Sequence, residues 1–243
     1  MRVALKGIVQ QGLGLFGYQL QRRPAEGSLE REWQRVIDDR QIVTVLDIGA
    51  HVGLFATRLR SLGFDGRIIS FEPSARPFRE LKAKTGGAWQ ALQVALGDED
   101  GTADLHVYAE HEEFTSLRLP SDYGREHFGL TRIETLPVPV QRLDEVAARL
   151  GVDARRTFVK IDTQGHDDAV ITGGAGFLNQ AAALQVEVPM FGLYEGAPSG
   201  TAMIERVRSM GFDLVGLFPV HEHPRPLVPV EFDGLFARGA AAG

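Results

Sequence analysis

Two glycines and an acid stand at fixed spacing where an apolar run passes into a helical pattern. The run from Val43 to Ile48 contains the start of Asp47-x-Gly49-x-x-x-Gly53. Glycines at the end of a buried strand let a ligand approach the backbone closely, and the first N–H groups of the next helix are free donors. The dinucleotide fingerprint needs a glycine where Asp47 stands, and a phosphate-binding P-loop needs a lysine. The spacing therefore predicts a nucleoside ligand with an amino group and no phosphate, S-adenosyl-L-methionine, with contacts from Asp47, Gly49, Ala50, His51 and Gly53.

A second acid ends the next apolar run of the chain. The segment Arg67–Phe71 is followed by Glu72 and Pro73, and the proline removes the donor that a longer strand would need. In open α/β sheets a carboxylate at this place accepts hydrogen bonds from two ribose hydroxyls. Taken alone, Asp47 could cap a helix and Glu72 could be a solvated strand end. Their order at two strand ends favours a cofactor site.

The segment Asp162-Thr-Gln-Gly-His166 is predicted to carry the transfer chemistry. It follows the apolar run Phe158–Ile161, at the carboxyl strand ends where ligands bind in such sheets. Methyl transfer to a hydroxyl needs an aligned oxygen and removal of its proton. Asp162 is the first candidate for the base or positioning group and also a predicted cofactor contact. His166 titrates in a suitable range, but it could equally be a solvated residue at a helix start.

Other residues near strand ends are candidate substrate contacts. Glu187 lies near the end of the run Leu184–Pro189, and the loop that follows contains Tyr194. Such side chains could line a substrate pocket, while packing beneath the loop explains the aromatic ring equally well. The predicted substrate contacts are Gln164, Glu187 and Tyr194.

No metal ligands are predicted. Asp162 and Glu187 could hold a divalent cation together with a substrate diol, because hard cations prefer carboxylates, and we treat this as the minor alternative. The pair His221 and His223 stands in a Pro-rich loop with no evident third ligand, which favours an exposed turn.

The elements that must position these residues alternate between strand-like and helical patterns. Predicted strands cover residues 42–48, 67–72, 91–96, 138–140, 158–161, 184–189, 212–218 and 230–237, and predicted helices cover 54–62, 76–85, 143–150 and 201–210. This alternation is typical of a parallel sheet, whereas alternating residues over 103–108 predict an antiparallel ribbon. The sequence thus predicts an α/β fold, a doubly wound, mostly parallel seven-stranded sheet with an antiparallel C-terminal strand and an inserted ribbon.

Two segments fall outside this alternation. Residues 109–135 are predicted to form a long, irregular, lid-like insertion over the site, with a surface loop of no special role as the alternative. Residues 1–38 are predicted to form an N-terminal helical extension of a domain that spans 39–243. Residues 1–23 are amphipathic and basic, so they could contact a membrane surface, but their glycines favour packing on the domain or on a second subunit.

Composition limits the partners of the chain. Its 243 residues are 44% hydrophobic and 24% charged, enough to bury one sizeable core. A formal net charge of -6 and the lack of a long basic run argue against a nucleic-acid substrate. The absence of cysteine fits a cytoplasmic protein. No apolar run could span a bilayer, and no cleavable signal pattern is evident at the N-terminus.

Residues from about 40 to 200 resemble the FkbM-type methyltransferase family. This family lies within the class I S-adenosylmethionine-dependent methyltransferases, whose fold is Rossmann-like. The resemblance rests on Leu46-Asp-Ile-Gly-Ala-His-Val-Gly53, Phe71-Glu-Pro73, Val94-Ala-Leu-Gly-Asp98 with Gly101, Thr115-Ser-Leu117 and Val159-Lys-Ile-Asp-Thr-Gln-Gly165.

The resemblance implies roles for individual residues. Gly49, His51 and Gly53 would line the methionine end of the cofactor, and Glu72 would hold the ribose. The remaining implied cofactor contacts are Phe71, Pro73, Ala95, Leu96, Asp98 and Ser116, with Ala95 and Leu96 at the adenine and Asp98 at its amine. Family members often have Glu where this chain has Gln164, so no base is assigned there.

The family also implies an activity, that of an O-methyltransferase acting on a small-molecule hydroxyl. The pattern from Gly17 to Arg23 is similar to members of surface-polysaccharide pathways, which favours a sugar, glycan or glycosylated natural product as acceptor. A polyketide-type hydroxyl is an alternative. Gln164 motivates a second hypothesis, a catalytically inactive cofactor-binding or scaffolding protein. A nicotinamide dehydrogenase is disfavoured because its phosphate-binding glycines are missing. A homo-oligomer is compatible with these patterns.

Overall fold

The computed structural model describes residues 24–108, 111–131, 133–222 and 229–239. The helices in these ranges are α1 (Leu29–Asp39), α2 (Leu54–Ser61), α3 (Ala75–Lys84), α4 (Asp122–Phe128), α5 (Leu143–Arg149), α6 (Asp167–Gly173), α7 (Ala175–Leu178) and α8 (Gly200–Ser209). The strands are β1 (Thr44–Ile48), β2 (Arg67–Phe71), β3 (Trp89–Leu92), β4 (Ala95–Gly97), β5 (Gly101–Tyr108), β6 (Ile133–Arg142), β7 (Thr157–Ile161), β8 (Ala183–Pro189), β9 (Phe212–Glu222) and β10 (Pro229–Arg238).

Seven strands of the described ranges form one sheet in the order β3-β2-β1-β7-β8-β10-β9. The pairs β2·β3, β1·β2, β1·β7 and β7·β8 are parallel. Strand β10 inserts between β8 and β9 and is antiparallel to both. The predicted doubly wound, mostly parallel sheet with an antiparallel C-terminal strand is confirmed, and the fold is Rossmann-like.

Each face of this sheet has its own apolar layer because side chains of a strand alternate between faces. On one face, Val45, Ile68 and Phe158 pack against residues of α1, α2 and α3. On the other face, Leu46 and Val159 pack against residues of α5 to α8. Strands buried on both faces read as nearly continuous apolar runs, which is why the sequence predicted them well.

Near the carboxyl ends of four adjacent strands, the apolar layer that faces α1 and α2 gives way to a polar row. Asp47 pairs in register with Ser70 on one side and with Lys160 on the other, and Lys160 pairs with Gln185. Each of these residues stands two positions after an apolar residue of the same face, so all four side chains point to the same side of the sheet. All four are buried.

A second sheet of three strands, in the order β4-β6-β5, lies beside the main sheet. The predicted third strand at 91–96 is wrong in its bounds, because this segment holds two strands in different sheets. Strand β3 pairs with β2, whereas the backbone groups of β4 find their partners on β6. The predicted ribbon is confirmed, and its second strand is longer than predicted because it pairs with all of β5.

The insertion predicted at 109–135 is less irregular than expected. It contains a 3-10 turn at Glu112–Phe114, helix α4 and the first residues of β6. Ser116 forms a bridge to His106 of β5, and Phe114 is buried with Tyr108 and Leu130. These contacts order the segment because they give its backbone and its apolar side chains partners in the second sheet.

The described part of the predicted N-terminal extension packs on the domain. Ser28 caps α1 by accepting a hydrogen bond from Arg31 N, and Trp33 packs edge-on against Phe55 with ring centroids 4.8 Å apart. Residues 1–23, with the membrane and subunit contacts considered for them, lie outside the described residues. Within the described ranges, no helix has the length and apolar character needed to cross a membrane.

Gly173 provides a test of how the two sheets are joined. An alanine Cβ at this last residue of α6 would lie 1.8 Å from the carbonyl oxygen of Gly97 on β4. Alanine usually stabilises a helix over glycine by about 1 kcal/mol. Here we expect Gly173→Ala to lower the free energy of unfolding in urea by about 1–3 kcal/mol through overpacking. Gly86→Ala, where a Cβ meets nothing within 4 Å, is the control, and equal stability of the two variants would contradict this packing.

Candidate active site

A cleft of about 350 Å³ lies at the carboxyl ends of β1, β2, β7 and β8. It is bounded by α1, by the β4 segment and by the insertion. The predicted site residues that line it are Gly49, Ala50, His51, Phe71, Glu72, Pro73, Ala95, Leu96, Ser116, Asp162, Gln164, His166 and Glu187. The cleft thus brings together residues that the sequence predicted separately at five strand ends and in the insertion.

Glu72 is held in place by two backbone donors. His51 N donates to Oε2 at 2.7 Å, and Ser74 N donates to Oε1 at 2.8 Å. Burial raises the pKa of Glu72 to about 7, although the two hydrogen bonds oppose this shift. A carboxylate oxygen has two lone pairs, so each oxygen retains one for a hydroxyl donor. This geometry suits a ligand with two neighbouring hydroxyls.

The loop after β1 is shaped by contact with the end of β7. Gly49 has φ +73, and a Cβ there would lie 1.7 Å from the carbonyl oxygen of Asp162. Glycine is therefore required by packing within the protein, whereas the sequence analysis had assigned it to close approach of a ligand. Two predicted cofactor contacts of this loop do not line the cleft: Asp47 is completely buried, and Gly53 caps the N-terminus of α2 and packs near Leu81.

Lys160 was missed by the sequence analysis. Its Nζ lies 2.9 Å from Asp162 Oδ2, 3.5 Å from Asp47 Oδ1 and 3.1 Å from Gly49 O. Burial alone would lower the pKa of Lys160, but the charges of Asp162 and Asp47 raise it above its ordinary value. A lysine inside an apolar strand run is the signal that could have identified it.

Asp162 and Glu187 are joined by one amide group. Gln164 Nε2 donates to Asp162 Oδ1 at 3.0 Å and to Glu187 Oε1 at 2.9 Å. Burial would raise the pKa of Asp162, but Lys160 and Gln164 lower it below its ordinary value. Burial and the charge of Glu231 raise the pKa of Glu187 well above its ordinary value. The Asp162 side chain is 33% exposed, so its carboxylate is accessible from the cleft.

A chain of side chains from α1 to β10 forms another wall of the cleft, which the sequence analysis also missed. Trp33 Nε1 donates to Gln185 Oε1 at 2.6 Å, and Gln185 Nε2 donates to Asp233 Oδ1 at 2.9 Å. Burial, together with the charge of Asp162, raises the pKa of Asp233 to about 7. Asp233 stands directly opposite Glu187 in the β8·β10 register. Asp162, Glu187 and Asp233 therefore line neighbouring parts of the cleft.

The structure places the remaining predicted residues in different ways. The His166 ring lies beside Gly97, and burial together with the charge of Arg118 lowers its pKa. Tyr194 is buried behind the cleft, with Oη 2.9 Å from Gln164 Oε1. Asp98 is exposed and does not line the cleft. His221 lies in β9, whereas His223 is outside the described residues.

The lining offers unpaired groups to a nucleoside cofactor. His51 Nε2 and Thr115 Oγ1 are buried and have no hydrogen-bond partner within the part of the chain that the structure describes. The same cleft is lined by Glu72 and by the apolar residues Phe71 and Leu96. Hydroxyl acceptors, free polar atoms and an apolar wall fit the ribose, amine and adenine groups of S-adenosylmethionine.

Comparison with known families agrees with this geometry. The family model described as Methyltransferase FkbM domain matches residues 47–214, which is most of the chain. The chain belongs to the FkbM methyltransferase family. It is therefore an S-adenosylmethionine-dependent methyltransferase, with a class I fold. Within the described residues, no group of three or more histidine and carboxylate side chains is arranged to hold a metal ion.

Two relatives and one solved structure illustrate the similarity. The 2-O-methyltransferase NoeI of Sinorhizobium fredii is 26% identical over 227 residues, covering 87% of this chain and 92% of NoeI. The AMB antimetabolite synthetase AmbE of Pseudomonas aeruginosa is 26% identical over 205 residues, which are 70% of this chain and 9% of AmbE. The 1,6-didemethyltoxoflavin-N1-methyltransferase of Burkholderia thailandensis, with bound S-adenosylhomocysteine, is 14% identical, with a TM-score of 0.41 and coverage of 88% and 79%.

The raised pKa of Glu72 predicts that cofactor binding depends on pH. With a pKa of about 7 in the free protein, Glu72 is mostly ionised at pH 8 and mostly neutral at pH 6. A carboxylate accepts ribose hydroxyls better than a neutral carboxyl group does. We therefore expect the Kd for S-adenosylmethionine, measured by calorimetry, to increase about tenfold from pH 8 to pH 6.

Glu72→Gln provides the control for the other groups that titrate in this range. The variant should bind the cofactor more weakly than the wild type at pH 8, with a Kd that changes little with pH. The assignment to Glu72 would be wrong if the variant retained the pH dependence of the wild type.

Proposed function

We propose that this methyltransferase transfers the methyl group to a hydroxyl oxygen of a small, uncharged polyol, such as a sugar or a glycosylated natural product. The observation that carries the proposal is the set of three carboxyl groups, Asp162, Glu187 and Asp233, that line the same cleft as Glu72. Carboxyl oxygens accept hydrogen bonds from hydroxyls and repel anionic groups. The relative NoeI, by its name a 2-O-methyltransferase, supports oxygen as the acceptor atom.

The charge balance around Asp162, Glu187 and Asp233 favours an uncharged acceptor. Lys160 already contacts three protein oxygens, so its ammonium group is not available to neutralise a phosphate or a carboxylate on the substrate. The raised pKa values of Glu187 and Asp233 reduce the net negative charge near neutral pH. A neutral, hydroxyl-rich molecule can accept and donate hydrogen bonds to such a mixed set of carboxyl groups.

Asp162 is the proposed base. When bound, S-adenosylmethionine supplies an electrophilic methyl group, and the electron pair of the broken carbon–sulfur bond stays on sulfur. The acceptor oxygen becomes strongly acidic as it forms its bond to carbon, so a weak base suffices to take its proton. The low pKa of Asp162 keeps it ionised and ready to do so. Lys160 and Gln164 hold its two oxygens, which aligns the carboxylate.

His166 is the second candidate for the base. Its lowered pKa keeps the ring neutral near pH 7, which a base requires. Its ring lies beside Gly97, on the side of the second sheet. Asp162 is preferred because it stands with Glu187 and Asp233 at the end where acceptor hydroxyls would bind.

The test is transfer of a labelled methyl group to a panel of neutral sugars, sugar phosphates and uronic acids. We expect product from neutral members of the panel and little from the anionic ones. Asp162→Asn should lower kcat by about 10²–10⁴-fold, the range for loss of a general base, while the Kd for the cofactor changes only a few-fold. Undiminished turnover by Asp162→Asn would transfer the role to His166. Cofactor binding without methylation of any polyol would instead favour the inactive or polyketide alternatives.

The position of Asp233 in the cleft predicts that this residue affects which acceptors are methylated. Asp233→Asn keeps the shape of the side chain but removes the charge and one acceptor oxygen. We expect kcat/KM for a neutral sugar to fall about tenfold, as for loss of one hydrogen bond to a charged group, and discrimination against sugar phosphates to weaken. Asp213→Asn, at an exposed position on β9, is the matched control. Equal effects of the two variants would remove Asp233 from the acceptor site.

A further inference from the structure

Gln164 lies between the carboxyl groups of Asp162 and Glu187. Both protons of its side-chain amide are used, one toward Asp162 Oδ1 at 3.0 Å and one toward Glu187 Oε1 at 2.9 Å. The amide presents its nitrogen to these groups because the ionised Asp162 carboxylate can only accept hydrogen bonds, so the reversed orientation would set Oε1 against Asp162 Oδ1. The ionised Asp162 therefore needs a donor at this position, which a carboxylate cannot supply.

Gln164 is itself held from several sides. Ser116 Oγ donates to the Gln164 carbonyl oxygen at 2.6 Å, and Arg118 N donates to Ser116 Oγ at 3.0 Å. Tyr194 Oη lies 2.9 Å from Gln164 Oε1. The backbone of Gln164 has φ +54, in the left-handed region that residues with a side chain seldom adopt. The insertion and the loop after β8 thus hold the amide in one orientation.

The groups around Asp162 and Glu187 make the ionisation of these two carboxyl groups sensitive to the residue at position 164. The charged and titratable groups that interact with Asp162 or Glu187 are Lys160 on β7, Asp47 on β1, Asp167 at the start of α6, Tyr194 in the loop after β8, and Glu231 and Asp233 on β10. Acids outnumber the single lysine in this set. An additional carboxylate at position 164 would therefore oppose ionisation of Asp162, whereas an amide proton favours it.

We propose that Gln164 is a positioning residue of methyl transfer, which ties Asp162 to Glu187 and aims the ionised Asp162 carboxylate at the acceptor hydroxyl. It does so without contacting the acceptor, which replaces its predicted role as a substrate contact. The proposal rests on the proposed function because it takes Asp162 as the base. It also removes the reason to regard Gln164 as a sign of lost catalysis.

The decisive variant is Gln164→Glu, which keeps the length of the side chain and exchanges two donors for acceptors. We expect kcat to fall about tenfold or more, the acid limb of the pH–kcat profile to move to higher pH, and the Kd for S-adenosylmethionine to stay within about twofold. Gln180→Glu, at an exposed position, is the control and should match the wild type. Wild-type kcat and pH profile in Gln164→Glu would overturn the proposal. A loss confined to the KM of the acceptor would also overturn it, because it would mean direct substrate contact.

Two further measurements keep the proposal testable if a variant fails. If Gln164→Glu does not fold, Gln164→Met, which is uncharged and of similar length, should show the loss in kcat with unchanged cofactor affinity. If the wild type methylates no hydroxyl, the proposed function fails, and carbon NMR titration of Asp162 still decides the role of Gln164. The Asp162 resonance, assigned by its absence in Asp162→Asn, should titrate at higher pH in Gln164→Glu than in the wild type, and an unchanged titration would refute the proposal.

Discussion

The arrangement of the cleft depends on one buried ammonium group. Lys160 is 6% exposed, yet its Nζ contacts Asp162, Asp47 and the Gly49 carbonyl oxygen. An unpaired charge in this interior would cost several kcal/mol. The three oxygens offset this cost, so the buried lysine is stable only while it contacts them. The contacts link the loop after β1 to the end of β7. The loop after β1 and the candidate base Asp162 therefore contact the same buried ammonium group.

The carboxyl groups that line the cleft differ in their surroundings and in their pKa values. Glu72 accepts hydrogen bonds from two backbone N–H groups. Asp162, Glu187 and Asp233 line the same cleft and have separated pKa values. Lys160 and Gln164 lower the pKa of Asp162, whereas burial and the neighbouring acids raise those of Glu187 and Asp233. Such separation lets one carboxyl group act as a base while its neighbours carry protons and donate hydrogen bonds.

The insertion bounds the cleft, and its contacts also hold the turn after β7 in place. Arg118 pairs with Asp168 of α6 through one nitrogen, with Nη2 2.7 and 2.9 Å from the two carboxylate oxygens. Ser116 and Tyr194 hold the turn that contains Gln164. These contacts connect a segment that is distant in the chain to the turn after β7. The strained backbone of this turn is thus supported by packing from outside it, as is expected of a preorganised site.

The sequence by itself determined the fold class, the family and the identity of the cofactor, because those signals are local. The Asp47 to Gly53 loop and the Glu72-Pro73 strand end are contiguous, and buried strands alternate with helices at readable spacing. Only the tertiary structure decided the rest, because it depends on strand order and register. Lys160 meets Asp47 because β7 lies beside β1, and Trp33 meets Gln185 across 152 positions of the chain. Gln164 reads in the sequence as a missing acid, and only its place between two carboxyl groups identifies it as a donor.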